Sequence, residues 1–390
     1  MSALLLALAL VLVGGRIAAR TASRVGLPPL FGELVLGLVL GPFLAQWLQG
    51  GNTIELLGTL GMILLMLLAG LETDLSVFRG VALPGILVAA FGALLPAATG
   101  SLLMFWLGGS LPVSLFVGVA LSATSVAITA ATLRETGRLQ STAGRTIMIA
   151  AVVDDVLGLL LLAFVTGSAG GEPPQVAVLR VAVTGGMVIL AAFLLGPLLR
   201  LLERHVETFL PVALGVGFLF AWGAQAIGGL APITGAYVAG LLLARAMPHQ
   251  PVAHHVETLA SGFFATMFFM SLGLRVRLFA IAPALLAVFL LLAVVTKVAG
   301  CGLGARLGGL GWDDVLTVGV GMIPRGEVAL IVASIGYDRG ILSTSMFSLL
   351  VLVAIGTTVV TPPLLNGISA LGRRTGASLA VEPEEMPVAS

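Results

Sequence analysis

The chain has 390 residues, of which 58% are apolar and only 9% charged. A water-soluble domain carries about 25% charged residues, so this chain cannot coat a water-facing surface and reads as a polytopic membrane protein. Its 19 basic and 18 acidic residues leave a net charge of +1, which excludes a nucleic-acid binder and, with the composition, a soluble enzyme.

A helix crosses the bilayer with roughly 20 apolar residues. Thirteen stretches bounded by charges or by Gly/Pro qualify, and the first six are predicted at 2–20, 28–47, 53–76, 81–107, 111–135 and 142–167. A seventh, at 177–202, follows the polar break Gly167–Gln175. The last six are predicted at 207–227, 230–247, 256–278, 281–307, 312–337 and 343–370. No basic residue precedes the first apolar run, whereas Arg16, Arg20 and Arg24 follow it, which places the N-terminus outside. With that orientation thirteen arginines face the cytoplasm and four (Arg180, Arg275, Arg277 and Arg339) face outward. Lys297 and Arg325 fall inside spans, and Lys297 is the only lysine. One cysteine, Cys301, excludes a disulfide framework and a multi-thiolate metal site, and no cofactor is expected.

The two halves repeat at a fixed offset of 203 residues. Gly26–Pro42 (GLPPLFGELVLGLVLGP) aligns with Gly229–Arg245 (GLAPITGAYVAGLLLAR), and eight of these seventeen pairs are identical. Gly70-Leu71 meets Gly273-Leu274, and Ser122–Leu139 meets Arg325–Leu342 in the same register. Corresponding helices are seven spans apart, an odd number, so the halves are inverted in the membrane, as in many secondary transporters. The expected fold is all-α, with two inverted six-helix repeats (1–167 and 205–370), a linking helix within 168–204 and a short disordered cytoplasmic tail at 371–390.

A charge at the bilayer centre costs at least about 2.5–3.5 kcal/mol, so those that occur there are functional candidates. Asp154-Asp155 lies mid-span in IMIAAVVDDVLGLLLL. Successive helical residues are about 100° apart, so both carboxylates can enter one cavity, and nine residues separate Asp154 from Arg145. Lys297 sits about eight residues from the nearer end of its span, too far to snorkel with ease, and a buried ion pair with one of these aspartates is expected. Carboxylates are hard oxygen ligands suited to Na⁺. The same oxygens bind protons, and a buried like-charge pair makes the two compete near physiological pH. A site that holds either cargo and moves only when loaded is an antiporter.

Thr124 and Ser125 offer uncharged oxygens, with Thr129 one turn on. Their repeat-mate GVGMIPRGEVALIV carries Gly321, Pro324 and Gly326 at midspan, which predicts an unwound helix. Arg325 and Glu327 flank that break, and they either pair with each other or neutralise half-helix dipoles. The equivalent break in ATSVAIT contains neither Pro nor Gly and rests on the repeat alone. Glu33, close to a span end, reads as interfacial and structural; Glu72 and Asp74 read as a cytoplasmic helix end. His249, His254 and His255 read as solvated loop histidines rather than a pH sensor.

Taken together, AGLETDL, ATSVAIT, VVDDVLG, the lone mid-helix Lys297 and PRGEVALIV resemble bacterial sodium/proton antiporters of the cation:proton antiporter superfamily, over residues 1–370. The resemblance implies thirteen helices, a core with two crossing broken helices, a separate dimerisation domain, and elevator-like alternating access in a homodimer of the inner membrane. By motif, Asp155 would be the essential ion-binding carboxylate, Asp154 the partner of Lys297, and Thr124 and Ser125 neighbours of the ion. Paired aspartates with this lysine imply electrogenic Na⁺(Li⁺)/H⁺ exchange. Related potassium systems often add large nucleotide-binding domains, and the eighteen residues Arg373–Ser390 are expected to encode none. The alternatives are K⁺/H⁺ exchange, a cation channel, and a sodium-coupled symporter. A buried ion pair on the path disfavours the channel. The symporter needs a basic or amide-rich pocket, and the midspans offer only Gln225 and Asn366.

Overall fold

The structure is a computed structural model that describes residues 2–47, 53–73, 83–125, 129–130, 132–133, 138–168, 175–176, 209–227, 231–246, 252–277 and 281–377. Among them there is no strand, as expected of a chain whose backbone must satisfy itself within each lipid-facing segment. The first half contributes α1 (Ser2–Arg24), α2 (Pro29–Trp47), α3 (Thr53–Glu72), α4 (Leu83–Trp106), α5 (Leu111–Ser122) and α6 (Thr142–Ser168). The second contributes α7 (Leu210–Ala226), α8 (Pro232–Ala246), α9 (Val252–Leu259), α10 (Ala265–Arg275), α11 (Pro283–Leu307), α12 (Trp312–Gly321), α13 (Glu327–Asp338) and α14 (Thr344–Ala377). Proline in the first turn starts α5, α7 and α11, where its missing N–H leaves no helical bond unmade. α1, α4, α6, the α9–α10 run, α11 and α14 are each long and apolar enough to cross a membrane. The predicted span at 177–202, Asp74 and His249 lie outside the described residues.

Every extensive helix contact falls within one of two bodies. In the scaffold, α2 packs on α10, α3 on α8, and α1 and α7 flank them. In the core, α4 packs on α11, α5 and α6, while α12, α13 and α14 pack on these helices and on one another. Apolar side chains such as Leu67, Phe116 and Phe268 join the two bodies in one buried cluster.

The repeat is visible as paired glycine contacts. A Cβ on Gly37 would lie 2.5 Å from the Met270 carbonyl oxygen and 3.1 Å from Cα of Gly273. Its mate Gly240 stands the same way, 2.2 Å from the Leu67 carbonyl and 2.8 Å from Cα of Gly70. All four partners are related by the offset of 203, so α2–α10 and α8–α3 are the same contact made twice. Small residues here let helix backbones approach in a lipid environment that offers no hydrophobic drive between helices.

Three readings change. Glu33 is not interfacial: it is 4% exposed and accepts a 2.6 Å hydrogen bond from Thr266. Thr266 follows a π-helical turn, Ala260–Phe264, that hydropathy does not encode, and Arg16 donates to the carbonyls of Ser261 and Gly262 there. His254 and His255 lie on α9 rather than in a loop, both exposed. The last helix extends to Ala377, past the predicted start of a disordered tail at 371.

Candidate functional site

Both broken helices lose their helical bonds at the same level and cross there. α5 stops at Ser122, and Ala123 turns extended (φ −62°, ψ 140°). α12 stops at Gly321, and α13 restarts at Glu327 after a non-helical Gly326. The two breaks satisfy each other: the Ser125 N–H donates to the Pro324 carbonyl at 2.9 Å, and Thr129 Oγ1 donates to the Gly321 carbonyl at 2.6 Å. Thr129 thus bonds across the crossing and not back onto its own helix. Gly326 is dictated by this geometry, since a Cβ there would stand 2.2 Å from Cβ of Ser125.

Lys297 reaches the crossing from α11 and is fully buried. Its ammonium donates to the Ser122 carbonyl at 2.6 Å, to the Gly92 carbonyl at 2.8 Å and to Asp154 Oδ1 at 3.3 Å. Three acceptors match the three donors of an ammonium. The Ser122 contact also puts a cation on the C-terminal end of α5, where the helix dipole is negative. The approach is possible because α4 and α11 touch through small residues: a Cβ on Gly300 would lie 2.5 Å from the Phe91 carbonyl, and one on Gly304 2.4 Å from that of Leu87.

Arg325 is buried without pairing to Glu327. Its guanidinium donates to the carbonyls of Ile323 and Ala293, so it serves the free end of α12. Thr357 Oγ1 accepts from its backbone N–H, and Thr358 Oγ1 donates to its carbonyl. Thr357 and Thr358 are the repeat-mates of Asp154 and Asp155, so where one half carries carboxylates the other carries hydroxyls that hold the backbone of Arg325. Glu327 starts α13, an end that favours a carboxylate, and accepts from Ser125 Oγ at 3.3 Å.

Asp154 is 2% exposed, while Asp155 and Glu327 are partly exposed and within electrostatic reach of each other. Among the described residues three buried oxygens have no partner: Asp154 Oδ2 and Thr124 Oγ1 here, and Thr234 Oγ1 on α8. Leaving such atoms unsatisfied in a protein interior is costly, and the first two fit an added cation or water. Ser125 and Glu327 meet across the break, Asp155 lies within electrostatic reach of Glu327, and Lys297 ties Asp154 to the Ser122 carbonyl, two residues before Thr124. The scaffold adds Tyr237 of α8, which the Asp155 charge reaches and whose hydroxyl is 3.1 Å from Thr73 Oγ1. Neither Tyr237 nor the Gly92 carbonyl stands out in sequence. The Gly300–Gly304 spacing was the available signal for the second.

Residues 7–367 match the family described as sodium/hydrogen exchanger, transmembrane. The chain belongs to the sodium/hydrogen exchanger family. Similar members include the Na(+)/H(+)-K(+) antiporter GerN of Bacillus cereus, 34% identical over 92% of this chain and 94% of that protein. A Na(+)/H(+) antiporter of Enterococcus hirae is 32% identical over 92% and 96% of the two chains. In fold, the exchanger resembles the sodium proton antiporter MjNhaP1 of Methanocaldococcus jannaschii, with TM-score 0.69 and 19% identity over 96% and 98% of the chains.

Proposed function

We propose that this exchanger moves Na⁺ or Li⁺ in one direction and protons in the other, electrogenically, by alternating access. The observation that carries the reading is a pair of buried oxygens without partners, Asp154 Oδ2 and Thr124 Oγ1, beside a lysine already bonded to Asp154. In the proton-loaded state Lys297 holds Asp154. An arriving Na⁺ takes oxygens from Asp155, Asp154, Thr124 and Ser125, and the Lys297–Asp154 contact loosens. An unpaired ammonium in a dry site is unstable and releases its proton, which with the proton of Asp155 gives two protons per Na⁺.

Alternating access is supported by the division into two bodies that each pack tightly within themselves. All the proposed ligands belong to the core, so the core would carry the ion past the scaffold, elevator-fashion. The arginine distribution supports an outside N-terminus and a cytoplasmic C-terminus in the inner membrane, and family membership supports a homodimer as the working unit. A second reading, K⁺/H⁺ exchange, is favoured by the likeness to GerN, a Na(+)/H(+)-K(+) antiporter. Proteoliposomes carrying a pH-sensitive dye separate the two: Na⁺ and Li⁺ should each dequench it, and a response to K⁺ alone would replace the first reading with the second.

A further inference from the structure

Among the described residues, two hydrogen bonds join scaffold to core, and both sit at the C-terminal end of α10. Arg275 Nη1 lies 2.6 Å from Asp338 Oδ1 at the end of α13, and the Arg277 N–H donates to Ser348 Oγ of α14 at 2.9 Å. The ion pair is held in place from both sides. The second oxygen of Asp338 accepts from Ser334 Oγ at 3.2 Å. The Arg275 guanidinium lies 5.7 Å from the centre of the Tyr337 ring, which is 5.0 Å from the buried ring of Phe347. An exposed ion pair contributes little to stability, but the Arg275 side chain is only 13% exposed, and a cation against an aromatic face loses little freedom on pairing.

The other end of α13 lies at the ion site. Asp155 and Glu327 are partly exposed, and Glu72, at the far end of α3, lies within electrostatic reach of Glu327 and of Glu257 on α9. From Val328 to Gly336, by contrast, α13 is buried throughout. One helix therefore carries Glu327 at the ion site and Asp338 at the pair, eleven residues or roughly 16 Å apart. A restraint on one end acts on the other.

We propose that the Arg275–Asp338 pair is a latch that holds the core against the scaffold in the arrangement described here, and that it breaks whenever the site turns to the other side. This rests on the alternating-access reading, and its test does not require transport. Ala333, fully buried on α13 and outside the hydrogen bonds of the pair, reports on the opening of that helix. In an Ala333→Cys background, purified protein is labelled with a maleimide, with the parent protein as control for buried Cys301. Arg275→Gln and Asp338→Asn should each raise the labelling rate by about threefold or more as the latched population falls. The double variant should label no faster than Arg275→Gln alone, because Asp338→Asn then removes no further contact of Arg275. Unchanged rates, additive rates, or rates that rise only in step with a fallen Tm would overturn the latch. If labelling follows the prediction while the parent protein exchanges no cation for protons, the latch stands and the transport reading fails.

Discussion

Lys297 binds three acceptors at once, and two of them are backbone carbonyls that no side-chain substitution removes. This allows its two conceivable roles to be told apart. Lys297→Gln keeps the length and a donor but cannot titrate. Removing one partner of a buried ion pair typically costs about 3–5 kcal/mol. The variant should unfold at lower temperature, and any exchange it retains should ignore a membrane potential set by valinomycin. A clear voltage response in that variant would reduce Lys297 to a brace for Asp154. Gly326 gives a second, steric test. Gly326→Ala should lower stability by about 1–3 kcal/mol through overpacking on Ser125. Because the clash is with the side chain of Ser125, adding Ser125→Gly should recover the thermal stability of the purified protein, though not its exchange.

At the scale of elements, small residues decide which helices can touch. Gly240→Ala would push a methyl to 2.2 Å from the Leu67 carbonyl, and Gly37→Ala one to 2.5 Å from that of Met270. Backbone cannot swing aside, so both should lower Tm by similar amounts. Gly223→Ala on α7 meets nothing within 4 Å and should leave Tm unchanged or slightly higher, since alanine favours a helix over glycine. Equal Tm values for all three would contradict the duplicated contact. Much of this level is legible in sequence. Hydropathy places the helices, the offset of 203 pairs them, and Pro324 with two glycines marks one break. The break at Ala123–Ser125 has no local signal because its cause is tertiary: the Ser125 N–H bonds to Pro324, and the room for it comes from Gly326. The π-helical turn and the burial of Glu33 escape for the same reason. Composition records how apolar a span is, not which face meets Thr266 or Arg16.

For the whole molecule, the two-body arrangement and the charge bias make separate predictions. A tag at Ser2 should be reached from outside, and a fluorescent fusion at Ser390 should be bright in the cytoplasm. Accessibility of both from one side would contradict the thirteen-span count, of which the 177–202 span lies outside the described residues. The pairing of Arg275 with Asp338, 63 residues apart, is invisible to composition and repeat alike, since its repeat-mate positions hold Glu72 and Glu135. The central claim is that one carboxylate, Asp155, serves Na⁺ and the proton in turn. Asp155→Asn keeps the shape of that side chain and removes its proton exchange, so the comparison of this variant with the parent protein in dye-loaded proteoliposomes tests it most directly. The expected result is Na⁺-driven proton movement in the parent and none in a folded, membrane-inserted Asp155→Asn protein. Substantial Na⁺-driven proton movement in the variant would contradict it.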